Sequence, residues 1–364
     1  MKKLSKILAL VLCLTMVLAL CACGGSSAPA ASSGSAASSG AAETKTDDKV
    51  YTFKIDFPNP ETASAFKALK DWSEYLKEKS NGRLDMQIYS GGALGKLPDC
   101  VTNCESGVTD GFWSGVTIYP GVFPATEVMA LPMIGAKNYK VVNDVLNALL
   151  AEYPVIADEW SQFKVVALHS SAGSPILFAD SISDIKEMAG KNLRISNAYT
   201  TEWFTNKGAN PVSLGINDGY ENIQKSVISG GLFFFDQVES SALYEVINTL
   251  YVGETIYPLN MLCLNIDKYN ALPDDLKAII DESGEYFLKQ SIDYFDDQET
   301  RMTKKCEDSG VKILKQTDES RAWLADGVES AWAKWVETIN GKGLPGQEIL
   351  DKAQEYIAKF NANY

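Results

Sequence analysis

The sequence predicts an α/β fold, and three observations carry that prediction. From Tyr51 onward, short apolar or alternating runs are interleaved with longer segments of helical period, the pattern of strands and helices in turn rather than of a helical bundle or a β sandwich. Turn punctuation such as Asn81-Gly82, Gly91-Gly92 and Ser309-Gly310 separates them. One helical stretch, from Pro273 to about Ser309, contains no further proline; about 35 residues at 1.5 Å each reach roughly 50 Å, more than one small domain needs. No internal repeat is present, and the length allows one or two domains.

Residues 1–22 begin with Lys2, Lys3 and Lys6 and continue as an apolar run to Ala22, too short for a comfortable membrane span and of the form of an export signal. Leu20-Cys21-Ala22-Cys23-Gly24 has the arrangement of a bacterial lipobox. Cys23, preceded by the small Ala22, fits acylation better than Cys21, preceded by the bulky Leu20. A signal cleaved without lipid attachment is the alternative. Residues 23–48 are dominated by Gly, Ser and Ala, which cannot bury a core and behave as a flexible tether. The globular part is therefore expected to begin near Lys49 and to be held to the membrane through lipid alone.

Tyr51, Phe53, Ile55 and Phe57 alternate as a strand, and Phe66, Leu69, Trp72 and Leu76 mark one face of a helix that stops at Asn81-Gly82. A second strand, Arg83 to Tyr89, leads into a glycine-rich turn. Further strands are predicted at 111–113, 163–168, 193–196, 231–235 and 261–266, with helices near 138–160, 200–208 and 217–228. Pro273-Asp274-Asp275 starts the long helix with acids in its first turn. Its continuity is open, with a kink near Ser283-Gly284 as the alternative.

The chain carries a formal charge of −14. Without Lys2, Lys3 and Lys6, 30 basic residues face 47 acidic ones, a charge of −17. Nucleic acid is excluded as a partner, since no basic cluster is available to displace counterions from phosphate. Past the leader and Cys23, the cysteines are Cys100, Cys104, Cys263 and Cys306, and the one histidine is His169. With no histidine near the Cys100/Cys104 pair, these read as structural thiols; no metal or cofactor is expected.

Arg194 lies between Leu193 and Ile195 on a predicted buried strand, and the surrounding GKNLRISNAYTT holds no acidic residue. A charge taken out of water is costly unless paired. Its partner is either a distant carboxylate side chain or a ligand, and a planar guanidinium matches a carboxylate through two parallel hydrogen bonds.

The stretch from Ser80 to Gly121, with its Ser80-Asn81-Gly82-Arg83 turn, its Gly91-Gly92-Ala93-Leu94-Gly95 turn and its Gly107-to-Asp110 segment, resembles the solute-binding proteins of tripartite ATP-independent periplasmic (TRAP) transporters, of the dicarboxylate-binding-protein type. The resemblance continues through Phe123-Pro124, Leu131-Pro132, Ser183 to Lys186, Leu193-Arg194-Ile195, Pro211-Val212, Asp218, Tyr220, Tyr244-Glu245-Val246 and Leu272 to Leu276, covering nearly all of residues 50–315. It implies a periplasmic-binding-protein-like fold, two α/β domains around a ligand cleft bridged by a long helix, with domain I at 49–171 and 260–299 and domain II at 172–259 and 300–364. It also implies a monomer that closes on its ligand by hinge motion and delivers it to the transporter's integral membrane subunits. Arg194 stands where the family's carboxylate-pairing arginine stands. The family's frequent asparagine falls near Phe233, and the aspartate of its Gly-Val-Val-Asp-Gly segment is replaced by Ser229, so a dicarboxylate specificity is not inherited.

Around Arg194, the candidate ligand residues are Trp113, which ends the strand after Asp110-Gly111; Phe233 and Phe235, at the end of the 231–235 strand; Ser174, in the small-residue run after His169; Asn59, in the loop after the first strand; and Asp218, as a cap for the following helix or a group orienting Arg194. Core packing is the alternative for each aromatic residue, and turn formation for Asn59. Aromatic walls with one arginine suit a monocarboxylate with an apolar or aromatic body. The expected function is capture of a small carboxylate for a TRAP-type transporter, with no enzymatic activity. Two alternatives are a surface hydrolase using Ser171 or Ser174 with His169, although no Gly-x-Ser-x-Gly elbow is present, and the ligand-presenting subunit of a sensor.

Overall fold

The computed structural model describes residues 48–119, 121–195 and 198–364; the export signal, Cys23 and nearly all of the tether lie outside them. The strands are β1 (Tyr51–Phe57), β2 (Leu84–Ser90), β3 (Gly111–Gly115), β4 (Phe163–Ser170), β5 (Ile176–Phe178), β6 (Asn192–Ile195), β7 (Asn210–Ser213), β8 (Gly230–Leu232), β9 (Thr249–Val252), β10 (Leu259–Asn265) and β11 (Lys312–Lys315). The helices are α1 (Ser64–Lys79), α2 (Cys100–Glu105), α3 (Tyr139–Glu152), α4 (Pro154–Glu159), α5 (Ala198–Asn206), α6 (Gly219–Gln224), α7 (Phe235–Ser240), α8 (Ile266–Asn270), α9 (Asp274–Asp308), α10 (Asp318–Ala325), α11 (Glu329–Gly341) and α12 (Gly346–Asn361).

Two mixed sheets result, ordered β2-β1-β3-β10-β4 and β11-β9-β5-β8-β6-β7. In each, one strand runs against all the others: β10 in the first, antiparallel to β3 and β4, and β5 in the second, antiparallel to β8 and β9. These are the strands by which the chain arrives from the other sheet. β4 continues through 171–175 into β5, and β9 through 253–258 into β10. A chain leaving one sheet at the carboxyl end of a strand and entering the next without reversing must run opposite to the strands it joins. The carboxyl ends of the parallel strands of both sheets therefore face the same gap, where open α/β sheets bind ligands. The two crossings are bonded side by side, Ser174 N donating to Ile256 O at 2.8 Å and Thr255 Oγ1 to Ser174 O at 2.9 Å.

The long helix is continuous. Gly284 lies against β4 so closely that a Cβ would stand 2.3 Å from Val166 O. Its neighbour Ser283 is fully buried and accepts from Trp72 Nε1 at 2.9 Å while donating to Ile280 O. Ser283-Gly284 is thus a packing site and not a kink. On α1 the buried Ala65, Ala68, Leu69, Trp72 and Leu76 form one stripe against α9 and the first sheet. Farther along, α9 meets α7 and β11 of the second lobe, so it spans both.

Other predicted elements are divided by the structure. The helix near 138–160 is two, because Pro154 cannot donate to the preceding turn. The helix near 217–228 is a 3₁₀ turn, Ile216–Asp218, followed by α6, which ends at Gln224. The strand at 231–235 ends at Leu232, and Phe235 already belongs to α7. At the C-terminus, α11 packs on α5 and α12 on α3, so the tail touches both lobes.

Candidate functional site

Between the lobes lies a cavity of about 70 Å³. On this measure one water needs roughly 10–15 Å³, so the space suits a small molecule. Its walls come from strand ends and the loops after them: Asn59 after β1, Trp113 and Gly115 on β3, Ser171 and Ala172 after β4, Ile216 after β7, Phe234 after β8 and Phe235 to Gln237 on α7. Pro258 of the second crossing, Asn260 of β10, Phe295 and Gln298 of α9, and Ala65, Leu97 and Ile118 complete it. A separate groove of about 650 Å³ is lined by charged and uncharged residues, including the ion pair of Arg321 with Glu254 at 2.7 Å.

Arg194 is 5% exposed. Its Nε donates to Leu214 O at 3.1 Å and its Nη1 to Leu232 O at 2.8 Å, and the guanidinium stands 5.3 Å above the Phe233 ring. Among the described residues it has no acidic partner. Burial pulls its pKa down to about 10, which leaves it charged at neutral pH. It is not itself among the residues lining the cavity. Its two carbonyl partners each stand two residues before a wall residue, Ile216 and Phe234.

Of the other candidates, the structure brings Asn59, Trp113 and Phe235 to the cavity. Phe233 is displaced from it: the side chain is fully buried against Gly219, beneath Arg194, and Phe234 faces the cavity instead. Ser174 belongs to the first crossing, its Oγ buried without a partner among the described residues. Asp218 is exposed and makes neither a side-chain cap to α6 nor a contact with Arg194. Sequence reasoning missed Asp236, Gln237, Asn260, Phe295 and Gln298. For Asp236 and Gln237 the available signal was a pair of polar residues directly after an aromatic run.

Trp113 and Phe295 are set from below by His169. Trp113 Nε1 donates to His169 Nε2 at 3.2 Å, and the His169 and Phe295 rings stack at 5.7 Å. Burial lowers the His169 pKa to about 3, so the imidazole is neutral and its Nε2 lone pair is engaged. It is not poised as a base for Ser171 or Ser174, which removes the geometry the hydrolase alternative needs.

Asp236, at the first turn of α7, joins the lobes. Its Oδ1 accepts from Gln298 Nε2 on α9 at 3.0 Å and from Ser64 N, the first residue of α1, at 3.3 Å. Elsewhere between the lobes, Tyr199 of α5 donates to Glu127 Oε2 at 2.7 Å. Burial raises the Glu127 pKa to about 7 against the opposing pull of that bond.

Residues 58–338 match the family model of bacterial extracellular solute-binding proteins, family 7. A TRAP solute-binding protein of an unidentified marine microbe, specific for aromatic acid ligands and solved with metahydroxyphenylacetate, is 25% identical, with a TM-score of 0.78 over 86% of this chain and 99% of its own. The TRAP protein of Chromohalobacter salexigens solved with D-glucuronate shares the fold at 20% identity, with a TM-score of 0.74 over 84% of this chain and 99% of its own. The 2,3-diketo-L-gulonate-binding periplasmic protein of Escherichia coli K12 is 20% identical over 310 residues, 84% of this chain and 92% of that protein.

Proposed function

The chain belongs to the bacterial extracellular solute-binding proteins of family 7, and from that premise we propose that its inter-lobe cavity captures a small organic carboxylate for uptake by a TRAP-type secondary transporter. One observation carries the choice of ligand: Arg194 is a buried cation with no acidic partner among the described residues, close behind the wall of an otherwise largely apolar cavity. A ligand carboxylate that reaches it past Ile216 and Phe234 gains two parallel hydrogen bonds and neutralises the charge. The walls of Trp113, Phe234, Phe235 and Phe295 suit a flat, apolar body, so the ligand is a monocarboxylate of aromatic or similar shape. The marine relative's aromatic acids support that choice.

The reading includes a lobe of 49–171 with 260–299 and a lobe of 172–259 with 300–364, closing about the crossings, and attachment to the outer face of the cell membrane through acylated Cys23. The test of the ligand site is calorimetric titration of wild type and Arg194→Ala with a panel of aromatic acids. Loss of a buried bidentate pair should weaken binding by about 2–5 kcal/mol, roughly thirty-fold to a few thousand-fold. Unchanged affinity in the variant would sink the assignment.

A further inference from the structure

Asp236 is the one charged residue among the described residues lining the cavity. Its Oδ1 is occupied by Gln298 Nε2 and Ser64 N, while its Oδ2 has no partner among the described residues and is not sealed from the cavity. No basic side chain forms an ion pair with it among the described residues: Arg301, on the same helix as Gln298, pairs with Glu239 and Asp297 and acts on Asp236 through its charge alone. A carboxylate so placed rejects a second negative charge and accepts a hydrogen bond from whatever donor a ligand presents. Resting on the reading of the cavity as a carboxylate site, we propose that Asp236 is its specificity-determining residue: it selects acids carrying a hydroxyl or similar donor remote from the carboxylate, and excludes dicarboxylates.

The chemistry of the cavity supports the proposal twice over. Most of the wall is apolar and its other polar side chains, Asn59, Ser171, Gln237, Asn260 and Gln298, are uncharged, so Asp236 is the strongest acceptor it offers; a hydroxyl left unpaired there would lose its water without compensation. A hydrogen bond to an ionised carboxylate is among the stronger ones and discriminates steeply, because a ligand lacking the donor leaves the buried acceptor unmet. Asp236 also touches both lobes and the bridging helix, so the ligand's donor meets a carboxylate whose position depends on the lobes being together. Burial raises the acid's pKa, helped by the nearby Glu239 and opposed by the Gln298 and Ser64 bonds and by Arg301.

The experiment is calorimetric titration of the full globular chain with benzoate, 3- and 4-hydroxybenzoate, 3-methoxybenzoate and isophthalate, repeated on Asp236→Asn. Asparagine keeps an oxygen for Gln298 and Ser64 but turns a donor toward the cavity. The expected result is that the better hydroxybenzoate binds about ten- to a hundredfold tighter than benzoate or its methoxy analogue, that isophthalate does not bind, and that Asp236→Asn abolishes the hydroxyl preference and admits isophthalate. Equal binding of benzoate and hydroxybenzoates by wild type, or a preference that survives in Asp236→Asn, overturns the proposal and leaves the carboxylate reading intact. Failure of every acid to bind wild type overturns both. Unfolding of the variant is checked by circular dichroism, and in that event Asp236→Glu, expected to retain the preference, replaces it; loss of preference in a folded Asp236→Glu protein counts against the proposal.

Discussion

One buried residue away from the cavity should be visible in the stability of the fold. Glu127 is buried and its pKa is raised to about 7. Below about pH 4.5 it is protonated in folded and unfolded chains alike. Between 4.5 and 7 the unfolded chain has lost the proton that the fold still holds, so stability falls as pH rises through that window, by roughly 3 kcal/mol at most. Glu127→Gln keeps an acceptor for Tyr199 and removes the titration. Its melting temperature relative to wild type should climb between pH 5 and pH 8, and a constant difference across that range would show that Glu127 is not held protonated by burial. At this scale the sequence was informative near the carboxyl ends of the first sheet's strands, where Trp113 on β3 and Asn59 just after β1 do reach the cavity. It failed for Phe233 and Phe234 because alternation was carried past the true strand end. Gly230 and Gly231, at φ of 134° and 144°, let β8 pass so near β5 and β6 that a Cβ would stand 1.9 Å from Leu177 O and 2.4 Å from Arg194 N. The chain then turns, and the face each phenylalanine presents no longer follows a period of two.

Among the elements, the long helix was the most legible from sequence and the least legible in its contacts. Acids at its start and the absence of proline announced it, yet a glycine inside a helix ordinarily weakens it by about 1 kcal/mol. Gly284→Ala should therefore stabilise an isolated helix. In this fold the added Cβ meets Val166 O at 2.3 Å, which is backbone and cannot swing away. The expected net effect is a loss of about 1–3 kcal/mol, seen as a melting temperature lower by roughly 2–8 °C; an unchanged or higher value would mean the helix and β4 separate without cost. Periodicity could not reveal that Phe295 and Gln298 face the cavity, because a helical stripe records burial and not which neighbour provides it. The passage of the chain from one lobe to the other after residue 171 was expected, but the strand it enters was not. β5 is only three residues long, and nothing in Ile176 to Phe178 says that it joins a second sheet.

At the level of the whole molecule, residues 1–22 have the form of an export signal, and membership of the solute-binding family agrees with an extracytoplasmic place. Attachment through Cys23 is the part of the proposed function that belongs to this scale. Expressed in a lipoprotein-processing host, wild type should sediment with membranes and partition into detergent, whereas Cys23→Ser should not; equal partitioning of the two would rule out the lipid anchor. Two chain crossings and one continuous helix join the lobes, and on the proposed reading Arg194 gives their closure a direction. Its buried guanidinium is met only by the carbonyls of Leu214 and Leu232, which solvate a cation without neutralising it, so a closed form would be favoured when a carboxylate is bound. A transporter that recognises the shut form would then seldom be engaged by protein carrying no cargo. On that reading, the same unanswered charge that attracts the ligand would also act as a check on delivery, discouraging the false report that a solute is on board.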